Sequence, residues 1–280
     1  MFPRIDLHTH SDCSDGVLSP AALVALAAQR QIELLALTDH DTVSGCAAAS
    51  AACAACAGTA IRFVPGIELS CQWREREIHV IGLRLDVGDT GLLSHCGAVL
   101  ASRRERMSAM TQRLGRAGLP GEQLAALTLG VALPTRTHLA RALCQLGLAD
   151  SMQHAFERWL KRGRPGYVSA QWPQLPAAVH CILAAGGIAV LAHPHRYQVS
   201  HGVLRQLVAE FKAAGGEGIE VSLSGMGGGD ADRAAALARQ FDLAGSVGSD
   251  FHEPDLPWRP LGRFAKLPDL ISPIAARIAP

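Results

Sequence analysis

Short apolar runs that stop at a histidine or a carboxylate recur along this chain. That recurrence restricts the fold more than any other feature. The strand-like runs are Arg4–His8, Glu33–Thr38, Ile61–Ile67, Ile78–Leu83, Gly187–Ala192, Gly218–Ser222 and Gly245–Ser249. Helix-like segments lie between many of them. Ser19 and Pro20 before AALVALAAQR read as an N-cap and a first-turn proline. Trp172–Ala185 and Asp230–Asp242 read as further helices, and the alanine tract at 47–57 as an ordinary one. Seven strands with helical crossovers predict an α/β fold with a largely parallel sheet. The glycine-rich stretch Gly225–Asp230 is expected to be a flexible loop, because it lacks the lysine and spacing of a phosphate-binding P-loop.

The alternation breaks between Asp86 and Val168. This stretch is helix-like and arginine-rich, with Arg103, Arg104, Arg106, Arg113, Arg116, Arg136, Arg141, Arg158, Arg162 and Arg164. It reads as a helical insertion or lid, dividing the chain into 1–85, 86–168 and 169–280. Composition removes several function classes. Apolar residues make up 49% and charged residues 18%, which supports a buried core. A net charge of +1 argues against a coat for duplex DNA or a membrane-surface protein. Few aromatics argue against a base-stacking platform. The start, MFPRIDLHTH, shows no basic segment followed by an apolar run, and no apolar stretch is long enough to span a bilayer. The eight cysteines therefore read as reduced thiols in the cytoplasm. Cys53 and Cys56 form a CxxC with no second pair to complete a zinc site, so they read as helix packing.

The polar strand ends carry the chemistry. His8 and His10 share one face of an extended segment, so both rings can reach one ion. Asp15 follows in SDCSDG, His40 in TDHD, Glu68 in GIE, His79 in the fourth run, His193 in AHPH, and Asp250 and His252 in SDFH. Each also has a plain reading when taken alone: a helix cap for Asp15, a strand-end carboxylate for Glu68, a core histidine for His79. Together they form a candidate cluster of nine, too many for one ion, and two or three divalent ions are the natural load. Mixed nitrogen and oxygen donors suit manganese, with zinc, iron or magnesium as alternatives.

DLHTHSDCSDG, TDHD, GIELS, HVIG, AHP and GSDFHE, in this order, resemble the PHP (polymerase and histidinol phosphatase) superfamily. The resemblance implies a distorted (β/α)7 barrel with metals at its strand ends. It also implies a partition: His8, His10, Glu68 and Asp250 around one ion, Glu68, His79 and His193 around a second, and Asp15, His40 and His252 around a third. Clustered ions generate a bridging hydroxide near neutral pH and stabilise charge on a phosphoryl oxygen, so the expected reaction is attack on a phosphate ester. His193, His252, Asp39 and Asp41 are the candidate proton donors. No Ser-His or Cys-His nucleophile stands out.

SRRERM, LPTRTHLARAL, RGRPGYV and GGIAVLAHPHRY further resemble a bacterial subfamily of nucleoside phosphoesterases. That resemblance implies removal of the 3′-phosphate from adenosine 3′,5′-bisphosphate (pAp), with Arg103, Arg104, Thr135, Arg136 and Arg196 as candidate substrate-binding residues. Arginine forks match phosphate oxygens. The competing readings are a 5′-to-3′ exonuclease on short RNA or DNA, a histidinol phosphate phosphatase, and an amidohydrolase cutting a C–N bond. No obligate protein partner is expected.

Overall fold

The computed structural model describes residues 4–56, 61–256 and 258–278. Its strands are β1 (Ile5–Asp6), β2 (Leu34–Leu37), β3 (Arg62–Trp73), β4 (Arg76–Leu83), β5 (Ile188–Leu191), β6 (Gly218–Leu223) and β7 (Ala244–Gly248). They lie side by side in chain order. Backbone bonds join the two outer strands: Leu7 N–H donates to Val247 (3.2 Å), Asp250 N–H to His8 (2.8 Å) and His10 N–H to Phe251 (2.9 Å). The sheet thus closes on itself into the expected seven-stranded barrel. Strands β2, β5 and β6 are buried along their whole length, as strands covered on both faces must be.

The sheet is less uniformly parallel than the alternation predicts. Strand β4 pairs antiparallel with both β3 and β5. The cause is local. β3 does not stop at Ile67 but runs on through ELSCQW, and the chain reverses at Arg74, whose φ is 55°. A tight reversal leaves no length for a crossover helix, so the next strand must run antiparallel.

Helices α1 (Pro20–Gln29) and α2 (Cys46–Ala55) cover the first strands. Ser19 caps α1 by accepting from Ala22 N–H (3.2 Å). Leu23, Val24 and Ala27 of α1 pack with Ala49 and Cys53 of α2 against Leu35 and Leu37. The last residue of the alanine tract, 57, lies outside the described residues. A second layer joins Leu34, Ala36, Val64, Ile81, Leu83, Ile188 and Val190 to Ile274 near the C-terminus. The chain separates into two compact units, one built from the residues up to His95 and from Pro173 onward, the other being Cys96–Trp172. The long helix α3 (Thr90–Arg116) starts in the first and continues into the second. The second unit adds α4 (Gly121–Leu129), α5 (Arg136–Gln145), α6 (Met152–Ala155) and a π-turn at Phe156–Leu160. It has its own core, including Met107, Met110, Leu114, Leu124, Leu139, Leu143 and Leu160.

The first unit is completed by α7 (Leu175–Ala184), α8 (His201–Ala213), α9 (Gly228–Gln240) and α10 (Ala275–Ile278). The glycine-rich stretch is only half a loop, because Gly228–Asp230 form the first turn of α9. An acidic residue in that turn and the alanine-rich sequence after it outweigh the glycines. Among the described residues, no helix is long and apolar enough to cross a membrane.

Candidate metal centre

The barrel unit brings all nine predicted cluster residues together, with Glu68 as the hub. Glu68 Oε1 lies 3.0 Å from His79 Nδ1 and 2.9 Å from His193 Nε2. Its Oε2 lies 2.9 Å from His40 Nδ1, 3.3 Å from His8 Nε2 and 3.4 Å from His10 Nε2. Asp250 Oδ1 sits 3.2 Å from His10 Nε2 and 3.4 Å from His8 Nε2. Asp15 Oδ1 sits 3.2 Å from His252 Nε2 and 3.8 Å from His40 Nε2.

These positions follow from the strands. β1 delivers His8 and His10 just beyond its end, and β7 delivers Asp250 and His252. Glu68 and His79 differ from the expectation that every member sits at or near a strand end, because both lie inside the β3–β4 hairpin. The hairpin projects past the parallel strands, so an interior residue of β3 stands level with the end of β2. A bridge pairs His40 with Glu68, fixed by Asp41 N–H donating to Glu68 O (2.9 Å). His193 and Asp250 adopt φ of 25° and 52°, in the left-handed region that L-residues avoid. Strain of this kind persists where the surroundings over-determine it, commonly at functional sites.

Among the described residues, three groups have donor atoms within 4.8 Å of one another: His8, His10, Glu68 and Asp250; His10, Asp15, His40 and His252; and His40, Glu68 and His79. His193 falls outside these groups, although its Nε2 touches Glu68. His8 Nε2, His10 Nε2, Asp15 Oδ1, His40 Nδ1 and Glu68 Oε2 are buried and, despite these close contacts, make no well-aligned hydrogen bond. Each such atom costs about 1–3 kcal/mol. Several in one place, all lone-pair donors of nitrogen and oxygen, fit divalent transition-metal ions.

The electrostatics agree with that fit. Burial opposes the charge on Glu68, but His40, His8 and His79 hold its carboxyl well below the usual range. Burial likewise opposes charge on Asp15, which His252 and His40 keep ionised, and on Asp250, which Arg196 and Arg259 keep ionised. His10 is pushed down to about 3 by burial and by its neighbours His252 and His40. It stays neutral.

Asp39 and Asp41, read from sequence as candidate proton donors, both accept hydrogen bonds from neighbouring loops and strands. Asp39 accepts from Ser11 N–H (2.8 Å), Ser11 Oγ (2.6 Å) and Ser14 Oγ (2.6 Å), pinning the loop that carries Asp15. Asp41 accepts from Ser70 N–H (2.7 Å) and so ties the end of β2 to β3. Arg196 pairs with Asp250 Oδ2 at the edge of the cluster. Sequence reasoning missed two neighbours. Arg259 Nη1 lies 3.0 Å from the same oxygen, and Glu220 lies against His8 and His193. Glu220 was visible only as the one acidic residue in the apolar run GIEVS. Arg259 lies in a loop with no periodic signal.

In the helical unit, Arg103 is buried, with its guanidinium 4.8 Å from the centre of the Trp172 ring. Packing accounts for that contact without a substrate. Arg104 is exposed. Thr135 is the N-cap of α5 and forms a capping box with His138, and Arg136 is the first residue of that helix.

The PHP domain profile matches residues 6–162. The chain belongs to the PHP domain family. Family relatives cover nearly all of it. It is 39% identical over 273 residues to the 3′,5′-nucleoside bisphosphate phosphatase of Chromobacterium violaceum, spanning 97% of this chain and 95% of that one. It is 40% identical to the 5′-3′ exoribonuclease Rnm of Escherichia coli, over 94% of this chain and 89% of that one. A solved Chromobacterium violaceum structure, called an amidohydrolase, with bound sulfate and no metal, matches with a TM-score of 0.91 at 38% identity. It covers 98% of this chain and 95% of that one. PHP membership and these relatives make the chain a hydrolase of the phosphoesterase type.

Proposed function

We propose that this enzyme removes the 3′-phosphate from nucleoside 3′,5′-bisphosphates, converting pAp to AMP and phosphate. One observation carries the phosphoester reading: buried nitrogen and oxygen donors that make no well-aligned hydrogen bond converge around a single ionised glutamate. The bisphosphate substrate is supported by full-length similarity to the Chromobacterium phosphatase. His8, His10, Glu68 and Asp250 would hold one ion, His10, Asp15, His40 and His252 a second, and Glu68 and His79 a third with His40 or His193. Two or three manganese ions are the proposed load, and they would supply an activated water and Lewis-acid stabilisation of the phosphoryl oxygens.

The chain's own residues set up that chemistry. Glu68, Asp15 and Asp250 stay ionised and offer the centre fixed negative charge. Arg196 and Arg259 bring positive charge to its edge, where a phosphate oxygen needs it. Burial opposes a proton on His252, but Asp15 and Asp250 raise it, so His252 is the proposed donor to the leaving oxygen, whereas His193, pushed down to about 3 chiefly by burial, is neutral and does not serve. His252 fills that role only while it holds no ion. For the 5′-phosphate we assign Arg104, Thr135 and Arg136, since the first N–H groups of a helix and an arginine fork both suit an anion. Arg103 becomes a weaker candidate. The free thiols of Cys13, Cys46, Cys53, Cys56, Cys71, Cys96, Cys144 and Cys181 favour a cytoplasmic setting.

A second reading is 5′-to-3′ trimming of short RNA by the same centre, favoured by similarity to Rnm. A substrate panel separates the two. Purified protein with added manganese is given pAp, 3′-AMP, 5′-AMP, histidinol phosphate, a short 5′-phosphorylated RNA and a simple amide. Phosphate release fastest from pAp is expected. Mononucleotide release from the RNA that outpaces it would replace the first reading by the second. Turnover of the amide alone would remove both.

A further inference from the structure

We propose that Glu220 is a positioning residue for the metal centre. It fixes which nitrogen of His8 faces the ions and holds the turn that carries His193. This rests on the reading that the cluster binds metal, and it assigns a part to a residue outside the ligand set.

Glu220 is fully buried in the middle of β6, a strand whose six residues are all buried. A carboxylate in such a strand is costly unless both oxygens find partners. Here they do, on two different elements. Oε1 lies 2.8 Å from His8 Nδ1, beyond β1, and Oε2 accepts from the backbone N–H of His193 at 2.5 Å, beyond β5. The β6–β7 register slips between Glu220 and Ser222. A slip of this kind re-aims a side chain relative to a regular strand.

The consequence for His8 is geometric. With Nδ1 held 2.8 Å from Glu220 Oε1, the nitrogen turned towards the cluster is Nε2. That Nε2 is buried and makes no well-aligned hydrogen bond, 3.3 Å from Glu68 Oε2 and 3.4 Å from Asp250 Oδ1. The consequence for His193 is conformational. Its backbone sits at φ 25° and ψ 59°, and the bond from Glu220 ties down the N–H of this strained residue. His193 Nε2 then reaches Glu68 Oε1. His10 has no such support, since its Nδ1 is buried without a partner. Glu220 therefore acts on two chosen members of the cluster rather than on all of it.

The test compares the parent with Glu220→Gln, which keeps the shape and removes the charge. Both proteins are stripped with chelator and titrated with manganese by calorimetry, and bound metal is measured by mass spectrometry at limiting supply. The glutamine variant should bind at least one manganese about 10–100-fold more weakly. Its metal-free circular dichroism should match the parent's. The manganese needed for half-maximal activity should rise, while kcat at saturating manganese returns towards the parent value. Equal manganese affinity in both proteins overturns the inference and leaves the metal centre intact. A parent that takes up no manganese overturns both. Should the variant fail to fold, the zinc-loaded parent decides the matter through two-bond 1H–15N spectra. His8 should carry its hydrogen on Nδ1 and bind through Nε2, and binding through Nδ1 overturns the role.

Discussion

Two oxygens of Glu68 stand between 2.9 and 3.4 Å from five imidazoles, so its charge is the counterweight of the whole cluster. In metal-free protein the rings of His8 and His79 hold protons because of it. Burial opposes this in both, but Glu220 and Glu68 raise His8 well above its ordinary value, and Glu68 raises His79 to about 10. Glu68→Gln leaves those buried rings without their partner. Chelator-treated Glu68→Gln should lose about 3–5 kcal/mol in urea unfolding. A variant as stable as the parent would mean that the carboxylate balances nothing. Arg136→Ala tests the other end of the substrate: KM for pAp should rise at least tenfold while KM for 3′-AMP stays nearly constant, and equal changes would remove the 5′-phosphate role. At this scale the sequence was legible where a ligand type ends an apolar run, as at His8, His40 and His193. It did not show that Asp39 and Asp41, each next to a histidine of the cluster, would accept bonds from Ser11, Ser14 and Ser70. It was silent on Glu220, since nothing in GIEVS says what a side chain from a distant strand will meet.

The elements place these residues through a few close approaches. Strands β7 and β1 meet at Gly248, where an added Cβ would stand 2.5 Å from His8 Cβ. Gly248→Ala must therefore push β7 away from β1 and move His8 with it. It should cost about 1–3 kcal/mol and lower the manganese bound per chain. Ser19→Ala makes the matched control. It removes the α1 cap for about 1 kcal/mol and should leave metal content unchanged. Loss of metal in both variants would show that content follows stability rather than the position of His8. All seven strands and the α1 cap were readable because buried strands are short apolar runs and a Ser-Pro start is a local signal. The reversal at Arg74 was not. ELSCQW and REIHVIGL read as two strands in either direction, and only the length of the connection decides between them.

Over the whole molecule, metal, protons and stability are coupled, and the sign can be worked out. His79, with a folded value of about 10 against an ordinary 6.5, binds its proton more tightly in the folded state. That stabilisation is complete below pH 6.5 and is lost as pH rises towards 10. His8 and His252 are also raised and act in the same direction. His10 and His193, lowered to about 3 chiefly by burial, are neutral in the folded state over this window and contribute only below 6.5. Metal-free protein should therefore lose thermal stability as pH climbs from 6.5 to 9. Manganese requires the same rings to be neutral, so its binding must expel protons and tighten over that range. At a free concentration 100 times Kd it adds about 2.7 kcal/mol, and more as Kd falls. The gap in Tm between manganese-loaded and chelated protein should widen steadily between pH 6.5 and 9 in scanning calorimetry. Titrations at pH 7.5 in buffers of different ionisation enthalpy should show proton release. A constant gap together with no proton release would mean that the histidines near Glu68 are not the groups that take the metal.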